Sequence, residues 1–250
     1  MPASPPLSSV LVDAWLEAAA YELLAQNSLQ PTLPPSFPRW PGYDIFSFLT
    51  ASNHFLFFKE EKTFMGLAAT SPDEDLLAII GTHTALQWWL DAQATPQAWT
   101  TVDGCECTVE SGFATVYDGI TMTNTGMPLR DFVAKQGKRQ KPLRIIGHSL
   151  GAAVGGIVAG DAWRPRLRLF AMPKFSDLRL SNHVLQKMTP DSLVPRNVQD
   201  DVAMAPPFNS YQSVLPEAWF NSDVMGVPGD PSSKHNMAGS YLKACQLAAA

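Results

Sequence analysis

Pro142-Leu143-Arg144-Ile145-Ile146-Gly147-His148-Ser149-Leu150-Gly151-Ala152-Ala153 is an apolar run that ends in Gly-x-Ser-x-Gly and passes straight into small residues. A strand turning this sharply into a helix is a nucleophile elbow. The turn strains the serine backbone, and the flanking glycines are required because a side chain there would strike the neighbouring strand or helix. Ser149 is thereby held clear of the sheet, and the helix N-terminus behind it offers positive potential and free N–H groups where an oxyanion would form. A bare Gly-x-Ser-x-Gly arises often by chance. The apolar strand before this one and the small-residue helix after it give it weight.

Outward from the elbow, Leu167 to Met172 forms a further apolar strand and Cys105 to Val109 a short one. Helical material runs from Gly112 to Lys135, interrupted at Asn124 to Gly126. Strands alternating with helices predict an α/β fold with a mostly parallel central sheet covered on both faces. Lys62 to Thr70 and Leu76 to Thr82 are apolar runs separated by Ser71-Pro72-Asp73-Glu74, which predicts an antiparallel hairpin at one side of that sheet. Near the N-terminus, Val12, Trp15, Leu16, Ala19, Ala20, Leu23 and Leu24 fall on one helical stripe with Asp13, Glu17 and Glu22 off it, predicting an amphipathic helix packed on the core. The five prolines from Pro31 to Pro41 end that helix and predict an extended surface wrap.

With 250 residues, 46% hydrophobic and 16% charged, the chain can bury a substantial core as one domain spanning 1–250. No uncharged apolar run approaches the roughly 18 residues needed to cross a bilayer. The first thirty residues lack a basic region ahead of an apolar stretch, so no secretory signal is read; a cytosolic, leaderless or trimmed chain is expected. A net charge of −5 argues against a nucleic-acid partner, and the one basic cluster, Lys135 to Arg144, is expected to be a solvated loop. Cys105, Cys107 and Cys245 lack the spacing of a zinc site, so no metal is expected, and they support no disulfide framework.

A serine hydrolase of this architecture takes its partners in the order Ser, Asp or Glu, His. His54, His83 and His183 stand too early and His148 fills the variable position of the elbow, which leaves His235 as the general base. Asp161, Asp177, Asp191, Asp200, Asp201, Asp223 and Asp230 all lie between Ser149 and His235. The acid belongs after the strand that follows Leu167 to Met172, and on that count Asp191 is selected.

These features together resemble the class 3 lipases, an α/β-hydrolase family that includes fungal triacylglycerol lipases and feruloyl esterases. Ile79-Ile80-Gly81-Thr82 is similar to the family's strand ending in Arg-Gly-Ser or Arg-Gly-Thr, so the resemblance gives Thr82 a part in the oxyanion hole. Trp88 and Asp91 match the Trp and Asp of the family's lid helix, and Glu110-Ser111-Gly112-Phe113 resembles its His-x-Gly-Phe. Phe170 to Asp177 resembles Phe-Gly-x-Pro-Arg-Val-Gly-Asn, which makes Asp177 a structural residue. His235 through Leu242 resembles the His-x5-Tyr-Leu ending. Three departures stand out: Ile80 replaces Arg, Glu110 replaces His, and Asp191 has two residues before Val-Pro where one is typical.

The expected activity is hydrolysis of carboxylic esters, most of all lipid esters, through an acyl-enzyme. Ser149 attacks, His235 shuttles the proton and Asp191 orients the imidazole, while the backbone N–H groups of Thr82 and Leu150 and the Thr82 hydroxyl meet the oxyanion. No cofactor is required. Residues 84–99, with Trp88, Trp89 and Trp99, are an aromatic-rich candidate lid that would meet a lipid–water interface. Soluble esters, feruloyl esters and phospholipids are alternative substrates, and a non-catalytic acyl-binding module is the alternative outside enzymes.

Overall fold

The computed structural model describes residues 7–26, 28–34, 42–52, 62–81, 95–204, 215–227 and 233–250. The elements in chain order are α1 (Leu11–Leu24), β1 (Asp44–Ser52), β2 (Lys62–Thr70), β3 (Asp75–Ile79), β4 (Pro96–Thr100), β5 (Glu106–Glu110) and α2 (Ser111–Gly119). There follow β6 (Ile120–Met122), α3 (Leu129–Arg139), β7 (Leu143–His148), α4 (Leu150–Asp161), β8 (Pro165–Phe170), α5 (Leu178–Lys187), β9 (Val194–Asn197) and β10 (Glu217–Phe220). A π-helical turn, Met237–Leu242, runs into α6 (Lys243–Ala249).

The central sheet has the order β6-β1-β2-β3-β7-β8. Strands β1, β3, β7 and β8 share one direction, and β2 and β6 run against them. This is the expected α/β architecture. The predicted hairpin is β2–β3, closed by the Ser71 N–H donating to the Glu74 carbonyl at 2.9 Å. Beyond β8, the Ala171 N–H donates to the Pro195 carbonyl at 3.2 Å, and β9 pairs in parallel with β10.

Side chains alternate across the sheet with period two, so each strand supplies two apolar layers. Leu77, Ile79, Ile145, Leu167 and Leu169 face a cluster shared with residues of α2, α4 and α5. Leu76, Ala78, Ile80, Ile146 and Phe170 face the opposite cluster with α1, α6 and Tyr241. Burying one such Leu or Ile side chain contributes about 1.5–3 kcal/mol, and burial on both faces fixes the register of the central strands.

α1 forms where expected and buries Leu16, Ala19, Ala20 and Leu23 of the predicted stripe, but its buried face is rotated to take in Asp13 and Glu17 and to leave Val12 and Trp15 outside. Val12 and Trp15 are 53% and 56% exposed, whereas Asp13 and Glu17 are 3% and 0% exposed. Asp13 is drawn inward because two sheet arginines receive it: Arg168 Nε donates at 2.9 Å and Arg144 Nη1 at 3.2 Å. Burial pushes the Asp13 carboxyl above its ordinary pKa, against the pull of both guanidinium groups. The basic cluster from Lys135 also differs from a solvated loop. It forms the end of α3, where Lys138 and Arg139 complement the helix dipole, and it continues into β7, where Arg144 pairs with Asp13 and Glu74.

Of the proposed lid, residues 84–94 lie outside the described residues, and Pro96–Thr100 is a strand paired antiparallel with β5, with Trp99 buried. Most of the proline-rich stretch, residues 35–41, also lies outside them. Cys105, Cys107 and Cys245 are free thiols. Among the described residues no helix is long and apolar enough to cross a membrane.

Candidate active site

The elbow stands at the junction of β7 and α4. Ser149 adopts φ 58° and ψ −124°, a left-handed backbone for a non-glycine residue that costs on the order of 1–3 kcal/mol. It is held there because its N–H donates to the Phe170 carbonyl at 3.0 Å while its own carbonyl accepts the N–H groups of Ala152 and Ala153. A Cβ at position 147 would lie 2.6 Å from the Gly151 carbonyl oxygen, and one at position 151 would lie 1.8 Å from that of Ile79. Only glycine fits either position. Leu150 opens α4, so its N–H, beside Ser149, has no acceptor within the helix.

His235 Nε2 lies 2.7 Å from Ser149 Oγ, and its Nδ1 lies 2.8 Å from Oδ2 and 3.0 Å from Oδ1 of Asp200. The carboxylate can only accept, so Nδ1 carries the hydrogen and Nε2 is left to receive the serine proton. The Asp200 side chain is inaccessible to solvent, and the imidazole is 20% exposed. Ser149 and His235 are thus brought together from elements 86 residues apart in the chain.

The carboxyl partner is Asp200, which follows β9. Oδ1 accepts the Val202 N–H at 3.0 Å, capping the turn Val202–Met204, and Oδ2 accepts the Tyr241 hydroxyl at 2.7 Å. Tyr241 Oη in turn accepts the Asn197 N–H at 3.1 Å. Burial pushes the Tyr241 phenol far above its ordinary pKa, with the Asp200 charge adding to the effect, so it is a fixed donor. The Asn197 amide nitrogen reaches Ser222 Oγ at 3.0 Å, Ser240 Oγ at 3.2 Å and the Lys234 carbonyl at 3.3 Å, joining the acid loop to the segment that carries His235.

Asp191, which the sequence selects as the acid, sits elsewhere. Its carboxylate pairs with Arg166 and Arg168, each at 3.2 Å, and its side chain is 49% exposed. Partial burial raises its pKa, but the Thr189 hydroxyl and the two arginines outweigh this and hold it below the ordinary range. Asp191 precedes β9, so placing the acid after that strand selects the later carboxylate. A spacing signal was present: Asp200-Asp201-Val202 has the single residue before valine that Asp191 lacks, with Ala203 in place of proline.

Asp177 caps α5 by accepting the N–H groups of Arg179 and Leu180 at 3.0 and 3.1 Å, and it also accepts the Thr108 N–H at 2.9 Å. Glu110 caps α2 through Gly112 N–H at 3.0 Å and Phe113 N–H at 2.8 Å, which accounts for a carboxylate at that position. Thr82, Trp88, Trp89 and Asp91 lie outside the described residues.

His148, the variable residue of the elbow, lies behind His235 with ring centroids 4.8 Å apart. Its Nε2 is 2.7 Å from the His235 carbonyl oxygen and must donate there, so Nδ1 accepts from Tyr21 Oη at 2.8 Å. Tyr21 Oη accepts the Gly81 N–H at 2.8 Å. Burial, reinforced by His235, drives the His148 pKa well below the usual histidine value, so this ring is neutral.

A serine on a strained strand-to-helix turn, a histidine on its hydroxyl and this sheet order define an α/β-hydrolase. The profile of the family described as Lipase (class 3) matches residues 76–210, more than half of the chain, and the chain belongs to the class 3 lipases, carboxylic ester hydrolases. Among solved structures, it is similar to a triacylglyceride lipase from Rhizomucor miehei, at 15% identity over 87% of this chain and 80% of that one, with a TM-score of 0.60. A mutant of MDLA from Penicillium cyclopium matches at 20% identity over 86% and 80% of the two chains, with a TM-score of 0.57. Lip2 lipase from Yarrowia lipolytica matches at 20% identity over 82% and 77%, with a TM-score of 0.56. No curated protein sequence matches the chain.

Proposed function

We propose that the protein hydrolyses lipid carboxylic esters through an acyl-enzyme on Ser149. His235 takes the serine proton and returns it to the leaving alcohol, and Asp200 holds the imidazole in the tautomer that this requires. The observation that carries the proposal is the unbroken hydrogen-bonded line Ser149–His235–Asp200 at the N-terminus of α4. The oxyanion is assigned to the backbone N–H groups of Leu150 and Thr82, with the Thr82 hydroxyl as a third donor. Acylation forms the Ser149 Oγ–carbonyl bond and expels the alcohol. Water activated by the same imidazole then releases the carboxylic acid and restores the serine.

Trp88 and Trp89 are assigned to a lid over this site, in keeping with family membership and with a lipid ester as substrate. Rapid labelling of Ser149 by a fluorophosphonate, lost in Ser149→Ala, is the primary test, because a non-catalytic acyl-binding module would not react. A p-nitrophenyl ester chain-length series, run below and above substrate solubility, then separates a lipase from a soluble-ester esterase.

A further inference from the structure

Gly81 follows β3, immediately precedes Thr82 and is pressed against the elbow. A Cβ at position 81 would lie 2.8 Å from Tyr21 Oη, 2.9 Å from the His148 carbonyl oxygen and 3.0 Å from Ser149 Cβ. The glycine is therefore seated between the nucleophilic residue and a phenol that comes from α1. Its N–H donates to that phenol oxygen at 2.8 Å.

The same hydroxyl gives its hydrogen to His148 Nδ1 at 2.8 Å, because the His148 Nε2–H is committed to the His235 carbonyl at 2.7 Å. Withdrawal from water pushes the Tyr21 phenol far above its ordinary pKa, so it keeps that hydrogen. Gly81 N–H, Tyr21 O–H, His148 and the His235 carbonyl thus form one line in which every hydrogen points the same way, and each bond polarises the next. The rings follow the same path. Tyr21 meets His148 edge-on with centroids 5.6 Å apart, and His148 lies 4.8 Å from His235. The helix that brings the phenol is itself tied down: Asp13, roughly two turns or about 12 Å earlier on α1, is gripped by Arg144 of β7 and Arg168 of β8.

We propose that Tyr21 is a positioning residue for ester hydrolysis, its hydroxyl setting the distance between the oxyanion strand that ends in Gly81–Thr82 and the general base His235. The inference rests on the roles given above to Ser149, His235 and Thr82. Tyr21 acts through Gly81 on the donors of Thr82, and through His148 on the backbone that carries the imidazole. Without the hydroxyl, the Gly81 N–H and His148 Nδ1 lose this partner, and both ends of the line shift relative to Ser149. A displacement of about 1 Å at such groups costs on the order of a hundredfold in rate.

The test compares Tyr21→Phe, which keeps the ring, with the wild type on a soluble short-chain ester. The kcat should fall about tenfold to a hundredfold with KM within about twofold of the wild type. An alkyl boronic acid, whose adduct with Ser149 places a charged oxygen in the oxyanion hole, should lose affinity by the same factor as kcat/KM. Tyr117→Phe is the control for a lost buried hydroxyl: Tyr117 is 0% exposed and donates to Asp161 at 3.1 Å, at the opposite end of α4 from Ser149. It should lower the melting temperature and leave kcat unchanged. His148→Asn keeps an acceptor near the place of Nδ1 but removes the donor to His235, so on its own it should lower kcat at unchanged KM even if Tyr21→Phe does not fold. Added to His148→Asn, Tyr21→Phe should cost less than it costs alone. An unchanged kcat in Tyr21→Phe, a loss carried by KM, or losses that simply multiply in the double variant would overturn the inference. A wild type that neither hydrolyses esters nor takes a fluorophosphonate would instead overturn the assignment of Ser149 and His235.

Discussion

Tyr241 donates to the same Asp200 oxygen that lies 2.8 Å from His235 Nδ1, so one carboxylate oxygen receives both the phenol and the imidazole. The tyrosine therefore fixes the carboxylate plane against which the imidazole is aligned. Tyr241→Phe keeps the ring in its apolar cluster but removes one hydrogen bond to a charged group, worth about 1.5–3 kcal/mol. Turnover should fall on the order of tenfold to a hundredfold with KM nearly unchanged, as measured by steady-state kinetics on a soluble ester. An equal rise in KM would move Tyr241 out of this role.

Asp200→Asn should lower kcat by up to about ten-thousandfold, because the amide would turn its N–H toward His235 Nδ1 and force the wrong tautomer. Asp191→Asn should leave kcat within a few-fold and lower stability by about 1 kcal/mol or less, since its arginine pairs are open to solvent screening. Comparing the two variants by turnover and thermal melting checks the assignment, and a reversed ranking would return the role to Asp191. The Asp191 carboxyl is held low in the folded state, so whatever it contributes is present at neutral pH and lost as pH falls through its folded value.

Thr82→Val should reduce kcat on the order of a hundredfold while altering substrate affinity little, because an oxyanion donor acts on charge that exists mainly in the transition state. The readout is kcat and KM on one soluble ester. An unchanged kcat would restrict the oxyanion donors to backbone N–H groups.

Replacing Trp88 and Trp89 together by serine should depress activity on emulsified long-chain esters more than on a dissolved short-chain ester. An open lid exposes apolar surface at about 25 cal/mol per Å2, a cost that a lipid interface removes. Equal losses on both substrates would indicate that the two rings serve packing alone.

The elbow and the strands β2, β3, β5, β7 and β8 could be read from the chain because they rest on contiguous patterns, such as an apolar run, two glycines and small residues after a serine, whereas β1 went unread and β6 falls inside the stretch read as helical. The identity of the acid could not be read the same way. β9 is Val194-Pro195-Arg196-Asn197, and all four residues are buried although only one is a good apolar strand former. Pro195 contributes only its carbonyl toward Ala171, Arg196 pairs with Glu217 at 2.8 Å, and Asn197 is consumed by hydrogen bonds within the fold. A strand whose polar residues are satisfied from distant parts of the chain leaves no periodic mark, and missing it shifts the expected acid one loop too early. The inward turn of Asp13 was hidden for the same reason, since its arginines lie 131 and 155 residues away.

The clamp that Asn197 forms between the acid loop and the histidine segment also has a mechanical meaning. Asp200 and His235 are fastened to each other and to β9, whereas Ser149 is anchored to β7 and α4. Strain entering from the β9–β10 edge would carry acid and base together as a rigid jaw, pulling on the His148–His235 hydrogen bond and widening the gap to the serine. Damage on that side of the molecule should thus first slow the transfer of the serine proton, while the alignment of the imidazole with its carboxylate survives.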